Sequence, residues 1–421
     1  MCRVAELRAV EARHAGEPLM ERAGAAAADV ARTMASGRSG PIVVLAGPGN
    51  NGGDGFVVAR RLAAWGALPT VLLAADRAQL RGDAALHARR LEAAGVPIVA
   101  LPAGAGLASP LARQIGEAEL IVDALLGTGL AGAPRPAVAP VIESLATARC
   151  PVVAVDVPSG LAADSGAVPG PCVQAALTVT FGLPKIGLLL YPGRAYCGRL
   201  ETADIGLDPA AVAACAGRDF VLDAAGVAGL LPARPGDAHK GSCGTAVVIA
   251  GSVGMTGAAA LSADSALRSG AGKVLLGVPE SLNDILEVKV TEAMTRPLPE
   301  VRRHRCLALR GLGQTLELLA GANAAAIGPG LGRHRETVEL LRRLLVRVPV
   351  PLVVDADALF ALAGATQLLA QRPAPTVLTP HYGEFARLSG LTVAQIAAQP
   401  REAARRFAAA HGVILVLKGA P

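Results

Sequence analysis

Aromatic side chains are almost missing from this 421-residue chain, which has one Trp, three Tyr and six Phe. Lysine is nearly as rare: only five of the 40 basic residues are Lys, at 185, 240, 273, 289 and 418. A nucleic-acid surface wants clustered basic residues beside stacking platforms. The densest basic run, Arg302-Arg303-His304-Arg305, contains no Phe, Tyr or Trp, so no nucleic-acid partner is expected. No stretch reaches the roughly 18 uncharged apolar residues of a membrane span, and no membrane partner is expected. The N-terminus is charged from Arg3 onward and lacks the apolar core of a secretion signal. The seven cysteines make no CxxC pair and no Cys/His metal spacing, a pattern of free thiols in a reducing compartment. A cytoplasmic location is expected.

What is abundant is small and apolar. Residues of the apolar set make up 52% of the chain, with 49 glycines, enough for two cores built from Ala, Val and Leu. The formal net charge of +6 reads as solvated surface that helps anionic small molecules approach. Short apolar runs alternate with helical stretches, the grammar of parallel sheets covered on both faces. Strands are predicted at 42–46, 70–74, 97–101, 120–124, 152–157 and 177–181, then at 245–250, 273–277, 324–328, 351–355, 376–379 and 413–417. An Ala-rich helix is predicted over 17–34 and another over 56–65. Punctuation around 205–236 puts a domain boundary between 216 and 217, and the halves do not read as copies of one another.

The first half carries the denser constellation. Its first strand runs into Gly47-Pro48-Gly49-Asn50-Asn51-Gly52-Gly53-Asp54-Gly55. Glycines let the backbone approach a phosphate, and a helix N-terminus offers free N–H groups. Gly47, Gly49 and Gly52 satisfy GxGxxG, with Asp76 at the end of the next strand, a bare dinucleotide fingerprint. Asp54 would repel phosphate, so it serves a ribose hydroxyl, a cation or a helix cap. Asp123 ends a strand before Gly127-Thr128-Gly129, and Asp156 ends another before Pro158-Ser159-Gly160. Ends of parallel strands share one sheet edge. Asn51, Asp123 and Ser159 can therefore converge as hard oxygen donors for a cation, with Asp156 a general base or acid beside them. Either Asp can equally cap a helix. Lys185 follows Thr180-Phe181-Gly182-Leu183-Pro184, either solvated or near a ligand's negative charge.

Residues Leu19–Gly24, 47–60 (GPGNNGGDGFVVAR), 122–130 (VDALLGTGL), 155–160 (VDVPSG) and 180–185 (TFGLPK) together closely resemble the NAD(P)H-hydrate epimerase domain. The resemblance covers about the first 205 residues. It implies a Rossmann-like three-layer fold and interconversion of the R and S epimers of NADHX and NADPHX, cofactors hydrated on the nicotinamide ring. It implies that Asn51, Asp123 and Ser159 hold a potassium ion. It further implies that Asn50, Asn51, Gly52, Gly53, Asp54, Gly127, Thr128, Gly129, Leu130, Ala131, Gly132, Ala133 and Asp156 contact substrate, with Asp156 the acid/base.

The second half strings together His239-Lys240-Gly241, Gly251-Ser252-Val253-Gly254, Gly328-Pro329-Gly330, Asp355-Ala356-Asp357, Pro380-His381 and Lys418-Gly419. Each follows or precedes a predicted strand, suiting nucleotide phosphates. In this order they resemble the ribokinase-like NAD(P)H-hydrate dehydratase domain, lacking its last elements. The resemblance implies ADP and Mg²⁺ as cofactors. It places Ala258, Gly330 and His381 at the hydrated cofactor, and Lys418, Gly419 and Ala420 at the nucleotide. Members carry a Gly-Thr-Gly-Asp turn whose Asp is the base and whose amides form the anion hole. No such motif follows residue 217, so little or no dehydratase activity is expected of residues 217–421, and 413–417 is expected to be an apolar edge. Alternatives are an NAD-dependent oxidoreductase, resting on GxGxxG and Asp76, and a ribokinase-like small-molecule kinase. Self-association into a homo-oligomer is expected.

Overall fold

The computed structural model describes residues 1–14, 16, 18–37, 40–101, 110–130, 132–215 and 219–419. The chain divides into two compact units, Met1–Ala228 and Gly229–Gly419. The boundary expected between 216 and 217 falls outside the described residues, as do the expected site residues Ala131 and Ala420.

The first unit is a seven-stranded sheet of β1 (Ile42–Ala46), β2 (Pro69–Leu73), β3 (Ile98–Ala100), β4 (Leu120–Ala124), β5 (Val152–Val155), β6 (Leu177–Phe181) and β7 (Arg199–Ala203). Its order is β3-β2-β1-β4-β5-β6-β7 with every pairing parallel. Helices α1 (Val4–Glu11), α2 (Leu19–Ala35), α3 (Asn50–Ala64) and α4 (Gly82–Ala93) precede or interleave with these strands. The strands' period of two divides the core. Val44 and Ala46 of β1 pack with Ala27 and Ala28 of α2, Phe56 of α3 and Leu91 of α4. Val43 and Leu45 face the other way, with Ile115, Val141 and Ile142. The result is a three-layer sandwich, as the run of apolar strands requires.

The second unit is also a seven-stranded parallel sheet: β8 (Thr245–Ile249), β9 (Lys273–Pro279), β10 (Met294–Leu298), β11 (Ala324–Ile327), β12 (Leu352–Val354), β13 (Thr376–Leu378) and β14 (Ile414–Leu415). The order β10-β9-β8-β11-β12-β13-β14 is that of the first sheet, so two halves with no legible sequence repeat share one winding. Its faces are covered by Ala259 and Ala263 on one side and Leu341, Leu344 and Phe385 on the other. A small antiparallel hairpin, Glu300–Val301 with Cys306–Leu307, hangs off it. β14 is an edge strand, and Ile414 on it and Val416 just beyond it are exposed.

Two strands of the seven-stranded sheets went unread in the sequence, and both lie at edges. β7 has no buried position and exposes Arg199 and Thr202, and β10 contains Pro297, which only an edge tolerates. The larger correction concerns α3. Its expected start at Phe56 is six residues late, because the Gly-rich segment is itself the helix's first turns, the Gly53 amide bonding back to the Gly49 carbonyl at 3.1 Å. Among the described residues no helix is long and apolar enough to cross a membrane. All seven cysteines are free.

Candidate active site

In the first sheet the strand order reverses between β1 and β4, the place where open α/β sheets bind ligands. Gly47 leaves β1 pressed against the end of β4: a Cβ on it would lie 1.9 Å from the Leu125 carbonyl oxygen. A Cβ on Gly52 would meet the Gly47 oxygen at 1.8 Å, on Gly53 the Met20 sulfur at 2.5 Å, and on Gly55 the Ala124 Cβ at 2.7 Å. Gly24 of α2 meets Val57 of α3 the same way, at 2.4 Å. These glycines let α3 sink onto the sheet and onto α2, at a helix-propensity cost of about 1 kcal/mol each for those inside α3. Gly49 alone of this series faces open space. The GxGxxG pattern here is mostly a packing device. Its acidic partner Asp76 is exposed and caps a turn by accepting the Ala78 amide at 2.8 Å, which leaves the oxidoreductase reading without its ribose contact.

Sunk this way, the N-terminus of α3 forms one wall of a cavity of about 870 Å³. Pro48, Gly49, Asn50, Asn51 and Asp54 line that wall, and Gly127, Thr128, Gly129, Leu130 and Ala133 line another. Asp156 lies at its floor, and Arg8 and Glu11 of α1 complete it. Gly52 and Gly53 do not line the cavity; they are buried in the helix packing. Gly132, at φ 82°, stands in the loop without lining it.

Asp123 and Ser159 lie fully buried beneath the cavity, not in its wall. The Asp123 carboxyl accepts the Ser159 amide at 2.8 Å, the Ser159 hydroxyl at 2.6 Å and the Leu125 amide at 3.2 Å. Ser159 Oγ in turn accepts the Leu126 amide at 2.8 Å, and Asn51 Nδ2 donates to the Leu126 carbonyl at 2.9 Å. Asn51 and Ser159 thus meet at Leu126, and Asp123 joins them through Ser159. Burial pushes the Asp123 carboxyl up to about 6 against those hydrogen bonds, and among the described residues no ion pair is made to it. A lone buried carboxyl among hydroxyl, amide and carbonyl oxygens suits a monovalent hard cation, which would supply the missing charge. Among the described residues no three His, Cys, Asp or Glu side chains cluster in the way a zinc-type site would need.

Asp156 belongs to a second group. Its backbone is in the left-handed region, φ 64°, which a non-Gly residue occupies only when its surroundings enforce it. The Asp156 amide donates to Val179 O at 2.7 Å across the neighbouring strand end. Its carboxylate pairs with the Lys185 ammonium and accepts from the Thr180 hydroxyl at 3.2 Å and the Phe181 amide at 3.3 Å. Lys185 is 1% exposed and also donates to Thr180 Oγ1 at 3.0 Å and Phe181 O at 3.1 Å. The chain's N-terminus seals it in: the Cys2 amide bonds to Pro184 O and the Ile186 amide to Cys2 O. Thr180 and the α1 pair Arg8 and Glu11 escaped sequence reasoning. Thr180 hides in an apolar strand, and nothing local distinguishes α1 from a solvated charged helix.

In the second sheet, too, the ends of the first and fourth strands meet. The Gly251 amide bonds to Pro329 O at 2.9 Å, and the Ser252 hydroxyl to Gly330 O at 2.8 Å. A Cβ on Gly330 would meet Met255 at 2.9 Å and Ala258 at 3.1 Å, so Gly330 and Ala258 are neighbours. His381 bridges to Lys418 across strand ends, caps the helix Tyr382–Ser389 through Nδ1, and is mostly exposed. Lys418 Nζ bonds to Asp355 Oδ1 at 2.8 Å, and Gly419 lies against Tyr382. Asp357 accepts the Gly332 amide at 2.9 Å.

A family profile described as YjeF-related protein N-terminus matches residues 16–187, and one described as NAD(P)H-hydrate dehydratase matches residues 246–421. The bifunctional NAD(P)H-hydrate repair enzyme Nnr of Moorella thermoacetica is 45% identical over 379 residues, 90% of this chain and 71% of that protein. Its namesake in Salinibacter ruber is 40% identical over 90% of this chain and 72% of its own length. The ADP/ATP-dependent NAD(P)H-hydrate dehydratase from Bacillus subtilis, co-crystallised with ATP/Mg²⁺, is 33% identical over 46% of this chain and 65% of that one, with a TM-score of 0.39.

Proposed function

The chain belongs to the family of bifunctional NAD(P)H-hydrate repair enzymes, and from that premise we propose that its first domain interconverts the R and S epimers of NADHX and NADPHX. The observation that carries the proposal is Asp156, held at a strained φ on the floor of the cavity and ion-paired to a lysine excluded from solvent. A carboxylate so fixed is placed to take or return a proton at the hydroxyl oxygen of a hydrated nicotinamide ring. Asn50, Asn51, Asp54, Gly127–Leu130 and Ala133 then bind the substrate. Gly52 and Gly53 act through the packing of α3, and Gly132 through the shape of its loop. Asn51, Asp123 and Ser159 would hold potassium, which would supply the positive charge that the buried Asp123 carboxyl lacks.

The test supplies purified protein with an R/S hydrate mixture and an intact S-specific dehydratase. Both epimers are expected to disappear, faster than spontaneous epimerisation permits. Acceleration should depend on potassium and be lost when it is replaced by a bulky organic cation; a rate equal to the uncatalysed one rejects the assignment.

For the second domain the reading is a binding site for ADP with Mg²⁺ and the hydrated cofactor, built on Ala258, Gly330, His381, Lys418 and Gly419. Its small residues and the exposed Lys418–Asp355 pair suit a phosphate-bearing ligand. Residues 217–421 offer no Gly-Thr-Gly-Asp turn, so no proton-transfer step is assigned to them. Calorimetric titration of ADP with Mg²⁺ against the Lys418→Ala variant tests the site.

A further inference from the structure

Besides Asp156, the cavity holds a carboxyl group in the opposite circumstances. Asp54, on the first turns of α3, is 8% exposed and lines the cavity. Among the described residues no hydrogen bond or ion pair is made to its carboxyl. Asp156 receives an ammonium, a hydroxyl and an amide; Asp54 receives nothing. An unpaired carboxylate removed from water is far costlier than a neutral carboxylic acid in the same place. Of the carboxyl groups that line the cavity, Asp156 is ringed by donors and Asp54 is the most buried of those left bare, so the two divide into an ionised and a neutral member.

We infer that Asp54 is the proton-bearing general acid of the first domain and works opposite the Asp156 carboxylate. This rests on the epimerase reading and adds to it a second reacting side chain. Burial holds the Asp54 carboxyl well above the ordinary value, with the charges of Asp156 and Glu11 adding to it and Lys185 opposing.

The chemistry needs such a pair. In a hydrated nicotinamide the carbon bearing the new hydroxyl is bonded to the ring nitrogen. Asp54 gives its proton to that hydroxyl as the C–O bond breaks, and the nitrogen lone pair closes to C=N⁺, releasing water. Water then adds to the opposite face, the C=N⁺ electron pair returns to nitrogen, and the surplus proton passes to Asp156. One proton has moved from Asp54 to Asp156, one water has left and one has entered, and nothing is oxidised or reduced. Inversion in the other direction runs the same transfer backwards, and exchange through cavity water restores the resting state.

The experiment compares the 421-residue wild type with Asp54→Asn. The variant is isosteric with the neutral acid and keeps a polar group but cannot give up a proton. The expected result is a loss of about 10²–10⁴-fold in epimerisation rate, while hydrated cofactor still raises the melting temperature. In wild type at neutral pH, infrared spectroscopy is expected to show the carbonyl stretch of a protonated carboxylic acid, absent in Asp54→Asn and retained in Glu11→Gln. An Asp54→Asn enzyme within a few-fold of wild type overturns the inference and leaves the epimerase reading intact. So does a wild type with no protonated-acid band, a result that stands even if the variant fails to fold. A wild type inert toward the R/S mixture fails the epimerase reading instead, and the infrared result still reports the protonation of Asp54.

Discussion

The chain builds the same ionic pair twice, in two sheets of one strand order, and in opposite surroundings. Asp156 and Lys185 join the ends of neighbouring strands in the first domain with side chains 15% and 2% exposed. Asp355 and Lys418 join strand ends in the second domain at 31% and 45%. Uncharged groups do much of the burying of the first pair. Cys2 and Pro184 close over Lys185, and Thr180 and the Phe181 amide satisfy what the ion pair leaves over. The comparison separates chemical identity from environment: the same carboxylate and ammonium are shut away from water in the first domain and open to it in the second.

The sharpest way to break that contrast is Asp156→Asn. Epimerisation in the coupled assay should fall by about 10²–10⁴-fold, while Asp355→Asn leaves it at the wild-type rate. Equal rates for both variants would remove Asp156 from the chemistry. Next in size is stability. Lys185→Met strands a buried carboxylate and should cost about 3–5 kcal/mol in the unfolding of the first domain. Lys418→Met, half in water, should cost about 0–1 kcal/mol in the second. Urea titrations followed by domain-resolved hydrogen exchange measure both. Similar costs would mean that burial is not what distinguishes the two pairs.

The glycines give a smaller effect inside one domain. Gly52→Ala drives a methyl into the Gly47 carbonyl and Gly24→Ala drives one into Val57. Each should destabilise by about 1–3 kcal/mol. Gly49→Ala, with open space at φ −92°, should stay within about 0.5 kcal/mol. Thermal melts of the three variants decide whether this segment is a packing motif or a ligand loop throughout.

Finally, pH distinguishes the buried acids. Burial is the chief reason that both Asp54 and Glu11 sit above their ordinary values of 3.8 and 4.5. For Asp54 the Asp156 and Glu11 charges act in the same direction; for Glu11, Asp156 raises while Lys185 and Arg8 lower. Below 3.8 folded and unfolded chains hold these protons alike. Above it the unfolded chain releases them while the folded one retains them, so stability falls as pH rises through that window. Asp54→Asn removes its share of the loss. Its melting temperature should exceed that of wild type near pH 8 and converge on it near pH 4. A gap independent of pH would show that Asp54 ionises in the folded protein as it does in water.

Much of this was legible without coordinates. β1 and β5 are continuous apolar runs and β4 is broken only by Asp123, and a strand buried on both faces can be written in few other ways. The residues at their ends, Asp123, Asp156 and Ser159, stand out because a polar group following such a run has to sit at the sheet edge. What misled was glycine. Gly52, Gly53 and Gly55 have the composition of a turn yet are helical, since their small size serves a contact with residues far away in the chain. The edge strands β7 and β10 escaped for a related reason, having only one neighbour and so no need of a continuous apolar pattern.

Residue order alone determined the two parallel sheets, their strand ends and the short roster of polar groups there, because backbone periodicity and burial are local demands that each segment must meet for itself. Which of those groups share a cavity was decided only in three dimensions. Asn51 and Ser159 meet at Leu126 with Asp123 bonded to Ser159, Asp156 is claimed by Lys185, and Asp54 is left without a donor among the described residues. Charge and hydrogen bonding act through space, and the fates of Asp54 and Asp156 were set by how closely α3 and the Lys185 loop approach the sheet.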